Sequence, residues 1–108
     1  YNLMIDAYGE KETWEMCHIL NERPPLTVRT NTMKITRDEL FKKFLRHKFS
    51  VEKCLHSPMG IKFTQRPKAN FYMLEEFTRG FFEIQDEGSQ LSSMRVDCKP
   101  GQTILDYC

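Results

Sequence analysis

The order of strand-like and helix-like segments between residues 26 and 85 constrains the fold of this chain more than any other feature. Residues 26–31 alternate apolar and polar side chains, a period of two that is typical of a half-buried strand. Thr36 and Glu39 fit a capping box at the start of a helix with an apolar stripe. Two strands, a short helix and another strand follow at residues 51–55, 61–63, 71–77 and 81–85. This β-α-β-β-α-β order predicts an α/β (α+β) domain in which two helices cover one face of an antiparallel sheet, the ferredoxin-like arrangement that RNA-recognition modules share.

Two short helices are predicted ahead of this unit. Residues 1–8 and 12–20 place apolar side chains at helical spacing, and Gly9 is suited to end the first helix. We therefore expect an N-terminal helical segment over residues 1–22, packed on itself or on sequence that precedes it.

The end of the chain carries a different signal. Asp86 is suited to cap a helix, and a turn at residues 99–102 leads into an apolar strand at 103–108. A buried strand that ends in an acid is how Rossmann-like domains begin, because their ligands bind beyond the carboxyl ends of parallel strands. The sequence thus predicts a ferredoxin-like domain over residues 23–85 and the first helix and strand of a second domain over 86–108.

Composition excludes several classes of function. The chain has 108 residues and a net charge of +1, so any binding of nucleic acid must come from a local basic patch rather than a global field. Four cysteines lie far apart without a Cys-x-x-Cys pair, so we expect no metal site and reduced thiols in an intracellular protein. No apolar run approaches the roughly 20 residues that span a bilayer, and we expect no membrane partner. The missing initiator Met indicates a piece of a longer protein.

Basic side chains near the first strand and in one later loop are candidates for contact with RNA. Lys and Arg bind phosphates and supply affinity that depends on salt but not on sequence. The same side chains would equally form an ordinary solvated surface, and composition does not decide between the two. The candidates are Arg23, Arg29, Asn31 and Lys34 around the strand and Arg66 and Lys68 in the loop.

Residues 79–84 resemble in part the strand motif on which RNA-recognition modules stack bases. A basic residue, a glycine and an aromatic stand in order, but Glu83 occupies a position where a stacking ring is needed. A carboxylate there would repel the phosphate chain. The pattern therefore favours Phe82 and Ile84 as core residues over base stacking.

No catalytic set is visible in the sequence. Glu75 and Glu76 are predicted to form a solvated helix face, and nothing near Cys54 would lower the pKa of its thiol. Asp106 ends the last apolar strand, where it would either face a ligand or cap a turn.

Three stretches together resemble one family. Residues 23–34 are similar to the segment RPP-x-x-x-R-x-N-T-x-K of the NOL1/NOP2/Sun RNA (cytosine-5) methyltransferases, and residues 80–91 to their segment G-x-x-x-x-Q-D-x-x-S-Q-L. Residues 103–108 look like the start of their cofactor motif ILDLCAAPGGKT. The similarity spans about residues 22–108, and its strength lies in the order and spacing of the segments.

The resemblance implies an RNA-positioning domain ahead of a methyltransferase domain that binds S-adenosylmethionine. Arg29 and Asn31 match the signature of the substrate domain, and Asp106 and Cys108 match the start of the cofactor loop. The glycine-rich turn of that loop is absent from this chain. So are the two cysteines that the family uses, one of which attacks C6 of cytosine while the other assists release.

The expected parent protein is therefore a methyltransferase acting on ribosomal or transfer RNA, cytoplasmic or nucleolar, with an organelle also open. The 108-residue chain alone is expected to lack activity and cofactor affinity, and to self-associate through its exposed last strand. A stand-alone RNA-binding module, or a purely structural one without catalysis, is the alternative.

Overall fold

The structure is a computed structural model that describes residues 1–68, 70–105 and 107. The elements follow in the order α1 (Asn2–Tyr8), α2 (Glu10–Asn21), β1 (Leu26–Thr30), α3 (Arg37–Arg46), β2 (Val51–Lys53), β3 (Gly60–Phe63), a 3₁₀ turn (Phe71–Met73), α4 (Glu75–Thr78), β4 (Phe82–Ile84) and α5 (Glu87–Met94). The predicted β-α-β-β-α-β order is present from β1 to β4, although the second helix is split between the 3₁₀ turn and the single turn of α4.

The four strands form one antiparallel sheet in the order β2-β3-β1-β4. Strand β1 lies at its centre, with Val28 opposite Ile61 of β3 on one side and Ile84 of β4 on the other. Insertion of β3 between β1 and β2 is the split βαβ arrangement, in which α3 carries the chain across the sheet. The predicted ferredoxin-like fold is confirmed.

The core lies between one face of this sheet and the helices, and aromatic rings fill most of it. The ring of Phe44, on α3, lies 5.2 Å from the rings of both Phe63 and Phe82, centroid to centroid. Tilted and edge-on ring pairs of this kind contribute beyond the area they bury. The buried apolar residues are Val28, Leu40, Phe44, Ile61, Phe63, Phe71 and Phe82.

Ile84 corrects one prediction about this core. Phe82 is fully buried as expected, but Ile84 is 47% exposed. The reason is that β4 is an edge strand of the sheet, so the last residue of its apolar face has a neighbour on one side only.

Helix α3 begins as the sequence predicts. The Glu39 amide donates to Thr36 Oγ1 at 3.3 Å, and the Thr36 amide donates to Glu39 Oε2 at 3.0 Å, which completes the capping box. Leu40 and Phe44 then point into the core, which turns the opposite face of the helix to solvent.

The N-terminal helices form as predicted but bury little. Gly9 ends α1 with a φ of 81°, a left-handed conformation that glycine adopts without strain. Within residues 1–22, all of which the structure describes, Thr13 is the one buried residue. Helices α1 and α2 contact each other, while Trp14 and Leu20 remain largely exposed.

The C-terminal segment agrees with the prediction as far as its turn. Asp86 Oδ2 accepts from the Gly88 amide at 2.8 Å and caps α5. The predicted strand at 103–108 is wrong for the residues described there, since 103–105 and 107 have no strand structure and Leu105 is 82% exposed. None of the strand pairings of the sheet includes these described residues, and an unpaired strand has no ladder of hydrogen bonds to hold it. Asp106 and Cys108 lie outside the described residues.

Candidate nucleic-acid interface

A basic cleft lies where the exposed face of α3 meets the turn before β4. Its volume is about 420 Å³, and among the described residues that line it five are cations and one is an anion, Glu39. We call it the α3 cleft. Its lining residues are Lys34, Ile35, Glu39, Lys42, Lys43, Arg46, Arg79 and Phe81.

Helical spacing gathers the cations of α3. Lys42, Lys43 and Arg46 follow Glu39 by three, four and seven residues, so these three cations share one face of the helix with Glu39. Because Leu40 and Phe44 fix the opposite face in the core, this face cannot turn away from solvent. The packing of the core therefore sets where the positive charge lies.

The other side of the α3 cleft is held by hydrogen bonds to the turn before β4. Lys34 Nζ donates to the Arg79 carbonyl oxygen at 2.8 Å, and Asn31 Nδ2 donates to the Gly80 carbonyl oxygen at 3.0 Å. Gly80 has a φ of 67°, and a Cβ there would lie 2.9 Å from Lys34 Nζ. The carbonyl oxygen accepts a hydrogen bond from one N–H of the ammonium group, which keeps its positive charge. Lys34 therefore both shapes the α3 cleft and contributes positive charge to it.

The guanidinium of Arg79 lies over the ring of Phe81, and both side chains line the α3 cleft. Its guanidinium carbon is 4.6 Å from the centre of the Phe81 ring, and Lys43 Nζ is 5.9 Å from the same centre. Arg79 Nη1 also pairs with the exposed Glu75 at 2.9 Å. These contacts restrain the Arg79 side chain, which lowers the entropy lost when its planar donor fork binds an anion.

Glu76 is buried, which corrects the prediction of a solvated acidic pair. It is 4% exposed, and its carboxylate lies 3.2 Å from His47 Nε2 and 3.5 Å from Lys43 Nζ. Burial opposes its ionisation, but hydrogen bonds from its own backbone amide and from His47, with the charges of His47 and Lys43, keep the pKa of Glu76 below the ordinary value of 4.5. Glu76 therefore anchors two basic side chains beside the cleft.

Replacing Glu76 by glutamine is expected to lower the free energy of unfolding at neutral pH by about 1–2 kcal/mol, because Lys43 and His47 lose a charged partner while remaining partly solvated. A carboxylate with a lowered folded-state pKa stabilises the fold above its unfolded pKa. That contribution is lost as the pH falls through the folded value. Urea unfolding at several pH values should show the gap between Glu76→Gln and the parent chain closing as the pH falls below the ordinary value of 4.5.

The matched control is Glu75→Gln, which makes the same change at the neighbouring exposed position. We expect an effect under about 0.5 kcal/mol there, as for other exposed ion pairs. A Glu76→Gln effect no larger than the control, or one that grows on acidification, would contradict the assignment.

The structure separates the basic residues that the sequence singles out. Arg23 and Arg66 line a groove of about 270 Å³ beside the start of β1. Arg66 and Lys68 also border one of about 360 Å³ that includes His47 and Lys48. Of the residues that the sequence predicts to contact RNA, Lys34 alone lines the α3 cleft. The Asn31 side chain instead donates a hydrogen bond to the Gly80 carbonyl oxygen.

Arg29 lies on the face of the sheet opposite the aromatic core, and it lines none of the clefts that contain the other basic candidates. Its register partner on β4 is Glu83, and its Nε atom is buried without a hydrogen-bond partner in the structure. Thr27 and Lys62 share this face with it, as the alternation of β1 and β3 requires. Glu83 and Arg29 lie side by side, with Thr27 and Lys62 as neighbours and no aromatic ring among the four, which makes a poor stacking platform.

Chemistry other than phosphate contact has little support in the described part of the chain. Burial, and then the charge of Glu87, raise the pKa of the Cys54 thiol, which disfavours the thiolate that a nucleophile needs. No group of three His, Cys, Asp or Glu among residues 1–68, 70–105 and 107 is placed to hold a metal ion. No helix of these residues is long and apolar enough to cross a membrane.

Comparison with known proteins decides the family. The family model described as Methyltr_RsmF/B-like, ferredoxin-like domain matches residues 1–70. The chain belongs to this family. The resemblance to the NOL1/NOP2/Sun methyltransferases is thereby confirmed.

Curated relatives of this RsmF/B-like domain carry related names. The probable ribosomal RNA small subunit methyltransferase B of Bacillus subtilis is 33% identical over 103 residues, which cover 95% of this chain and 22% of the relative. Ribosomal RNA small subunit methyltransferase B of Pseudomonas putida is 31% identical over 98 residues, 90% of this chain and 22% of the relative. The chain thus spans about a fifth of the length of the relatives it matches.

A solved structure supports the fold independently. The crystal structure of PH0851 superposes with a TM-score of 0.77 at 24% identity, over 90% of this chain and 22% of that one.

Four of the five cations of the α3 cleft in this RsmF/B-like domain were missed by sequence reasoning. They are Lys42, Lys43, Arg46 and Arg79. The spacing of Lys42, Lys43 and Arg46 was a usable signal. Once the capping box and the apolar stripe define α3, basic residues three and four positions apart are expected on one face of that helix. Arg79 gave no such signal, since its approach to α3 depends on the path of the chain from β3 to β4.

Proposed function

We propose that this chain is the RNA-positioning part of a larger S-adenosylmethionine-dependent methyltransferase that modifies cytosine-5 of ribosomal RNA. The family supports this, as do the names of the relatives and the share of their length that the chain covers. We divide it into a helical segment over residues 1–22, the ferredoxin-like substrate domain over 23–85, and the start of the methyltransferase domain over 86–108.

The α3 cleft is the observation that carries the proposal. A chain with a net charge of +1 has no general reason to attract RNA, yet five of its cations line one concave surface. Concentrated positive charge releases counterions from the RNA backbone, and the restrained Arg79 offers paired donors to a phosphate. Phosphate contacts of this kind fix register and orientation without reading sequence, as a positioning domain requires.

Catalysis belongs to residues beyond this chain under the proposal. When bound, S-adenosylmethionine would supply the methyl group. Asp106 and Cys108, which resemble the start of its motif, lie outside the described residues, so no step is assigned to them. Arg23, Arg29, Asn31, Lys34, Arg66 and Lys68 remain predicted RNA contacts, with Lys34 the best supported because it lines the α3 cleft.

Methyl transfer by the full-length protein that carries this chain tests the proposal. We expect label from S-adenosylmethionine to enter small-subunit ribosomal RNA, and bisulfite sequencing to find one protected cytosine. The 108-residue chain should show neither transfer nor calorimetric binding of S-adenosylmethionine. Methylation at another atom, or micromolar binding of the cofactor by the chain alone, would overturn the proposal.

A purely structural role is the second candidate, because Asn31 and Lys34 both donate hydrogen bonds to the turn before β4. Such a domain would orient its neighbour without touching RNA. Photocrosslinking of the full-length protein separates the two roles. Crosslinks within residues 23–85 favour RNA contact, and crosslinks confined to the rest of the protein favour the structural role.

A further inference from the structure

Helix α5 is fastened to the turn between β2 and β3 by one carboxylate. Glu87 Oε1 accepts from the His56 amide at 2.6 Å and from the Ser57 amide at 2.8 Å. These two amides hold the pKa of Glu87 below its ordinary value, Ser57 contributing more than His56. The link joins positions 30 and 31 residues apart, so it is a tertiary contact and not part of the helix.

One turn further along α5, Gln90 extends this link into the protein. Gln90 is fully buried, and its Oε1 accepts from Ser57 Oγ at 2.6 Å while its Nε2 donates to the Gln85 carbonyl oxygen at 2.9 Å. Both ends of its amide are therefore engaged, as a buried polar group requires. Gly60 leaves room for it, because a Cβ at that position would lie 3.1 Å from Gln90 Oε1 and 2.7 Å from Cys54 Sγ.

The turn between β2 and β3 is also hydrogen-bonded to α3. Arg37 Nη1, at the start of α3, donates to the Ser57 carbonyl oxygen at 3.1 Å. Ser57 is 1% exposed and thus connects α5 with α3, the helix that carries the α3 cleft. A continuous path of hydrogen bonds runs from the cleft helix to α5.

We propose that Glu87, Gln90 and Ser57 form a latch that sets the orientation of the methyltransferase domain relative to the RNA held in the α3 cleft. The proposal rests on the proposed function, in which α5 opens that domain. None of the three residues lines the α3 cleft, and the proposal makes all three positioning residues. Because productive geometry tolerates little displacement, a loosened latch should slow methyl transfer without weakening RNA binding.

Hydrogen–deuterium exchange on the 108-residue chain tests the latch itself. Glu87→Ala leaves two amides without their acceptor, and we expect exchange at residues 56–57 and along α5 to rise about tenfold or more while β1 stays protected. Ser57→Ala removes the hydroxyl contacts to Gln90 and to the Met59 amide but keeps both amides that bind Glu87, so it should raise exchange in α5 to a smaller degree. Glu83→Ala removes an exposed carboxylate from β4, outside the link between α5 and the β2–β3 turn, and is the matched control.

Kinetics of the full-length protein test what the latch does. We expect Glu87→Ala to lower kcat by about tenfold to a hundredfold, with the Kd for ribosomal RNA unchanged within about twofold. Unaltered exchange in α5 would overturn the latch whether or not the parent protein is a methyltransferase. Altered exchange with an unchanged kcat would overturn its positioning role, and absence of methylation by the parent protein itself would count against the proposed function alone.

Discussion

Replacing Phe44 by alanine is expected to lower the free energy of unfolding of this chain by about 3–5 kcal/mol. Phe44 is fully buried at the point where α3 meets the sheet, and its ring contacts those of Phe49, Phe63 and Phe82. Removing it leaves a cavity that a small aromatic core cannot close without shifting several rings. Since a domain of this size has only about 5–15 kcal/mol of stability, urea unfolding should find the variant marginally folded at best.

Leu45→Ala is the matched control, because it truncates the next residue of the same helix at a position that is 50% exposed. We expect it to cost less than about 1 kcal/mol, as surface changes usually do. A Phe44→Ala effect as small as that of Leu45→Ala would mean that α3 does not pack on the sheet as described, and the position of the α3 cleft would fall with it.

Replacing Lys42 and Arg46 together by alanine is expected to weaken RNA binding and to make it less sensitive to salt. Both side chains are exposed and line the α3 cleft, and neither has an ion-pair partner among the described residues. Each phosphate contact to single-stranded RNA contributes about 0.7 to the slope of log K against log salt. The double variant should therefore lower the magnitude of that slope by about 1.4 and the affinity at low salt by about tenfold or more.

Lys11 and Lys99 provide a control with the same change in net charge. Both are exposed and lie outside the α3 cleft, on α2 and after α5. If the α3 cleft binds the RNA backbone, the double variant Lys11→Ala and Lys99→Ala should keep the slope of log K against log salt within about 0.3 of the value for the parent chain. Equal losses in the two double variants would mean that net charge, and not the cleft, attracts RNA.

Locally encoded parts of the fold could be predicted from the sequence. The capping box of Thr36 and Glu39, the alternation of residues 26–31 and the cap at Asp86 depend on neighbours within four residues, and all three are present. Their order along the chain was enough to predict the ferredoxin-like topology. The strand expected at 103–108 was wrong for its described residues, because a strand needs a partner that local sequence cannot supply.

The candidate site depended on contacts that sequence reasoning does not reveal. Glu76 was predicted to be solvated because it follows Glu75, yet it contacts Lys43 of α3 and His47 directly after that helix, about 30 residues away along the chain. Arg79 enters the α3 cleft only because the β3–β4 connection returns beside α3. Lys34 was found through its strand and family segment, without any sign of the cations that join it.

The most direct test of the account is an NMR titration of the 108-residue chain with a short ribosomal RNA oligonucleotide. We predict saturable shifts of amide and side-chain signals at Lys42, Lys43, Arg46 and Arg79, which fade as salt is added. Shifts confined to the sheet face opposite the aromatic core, around Thr27, Arg29 and Lys62, with the α3 cleft unaffected, would contradict the central claim that this domain holds RNA through that cleft.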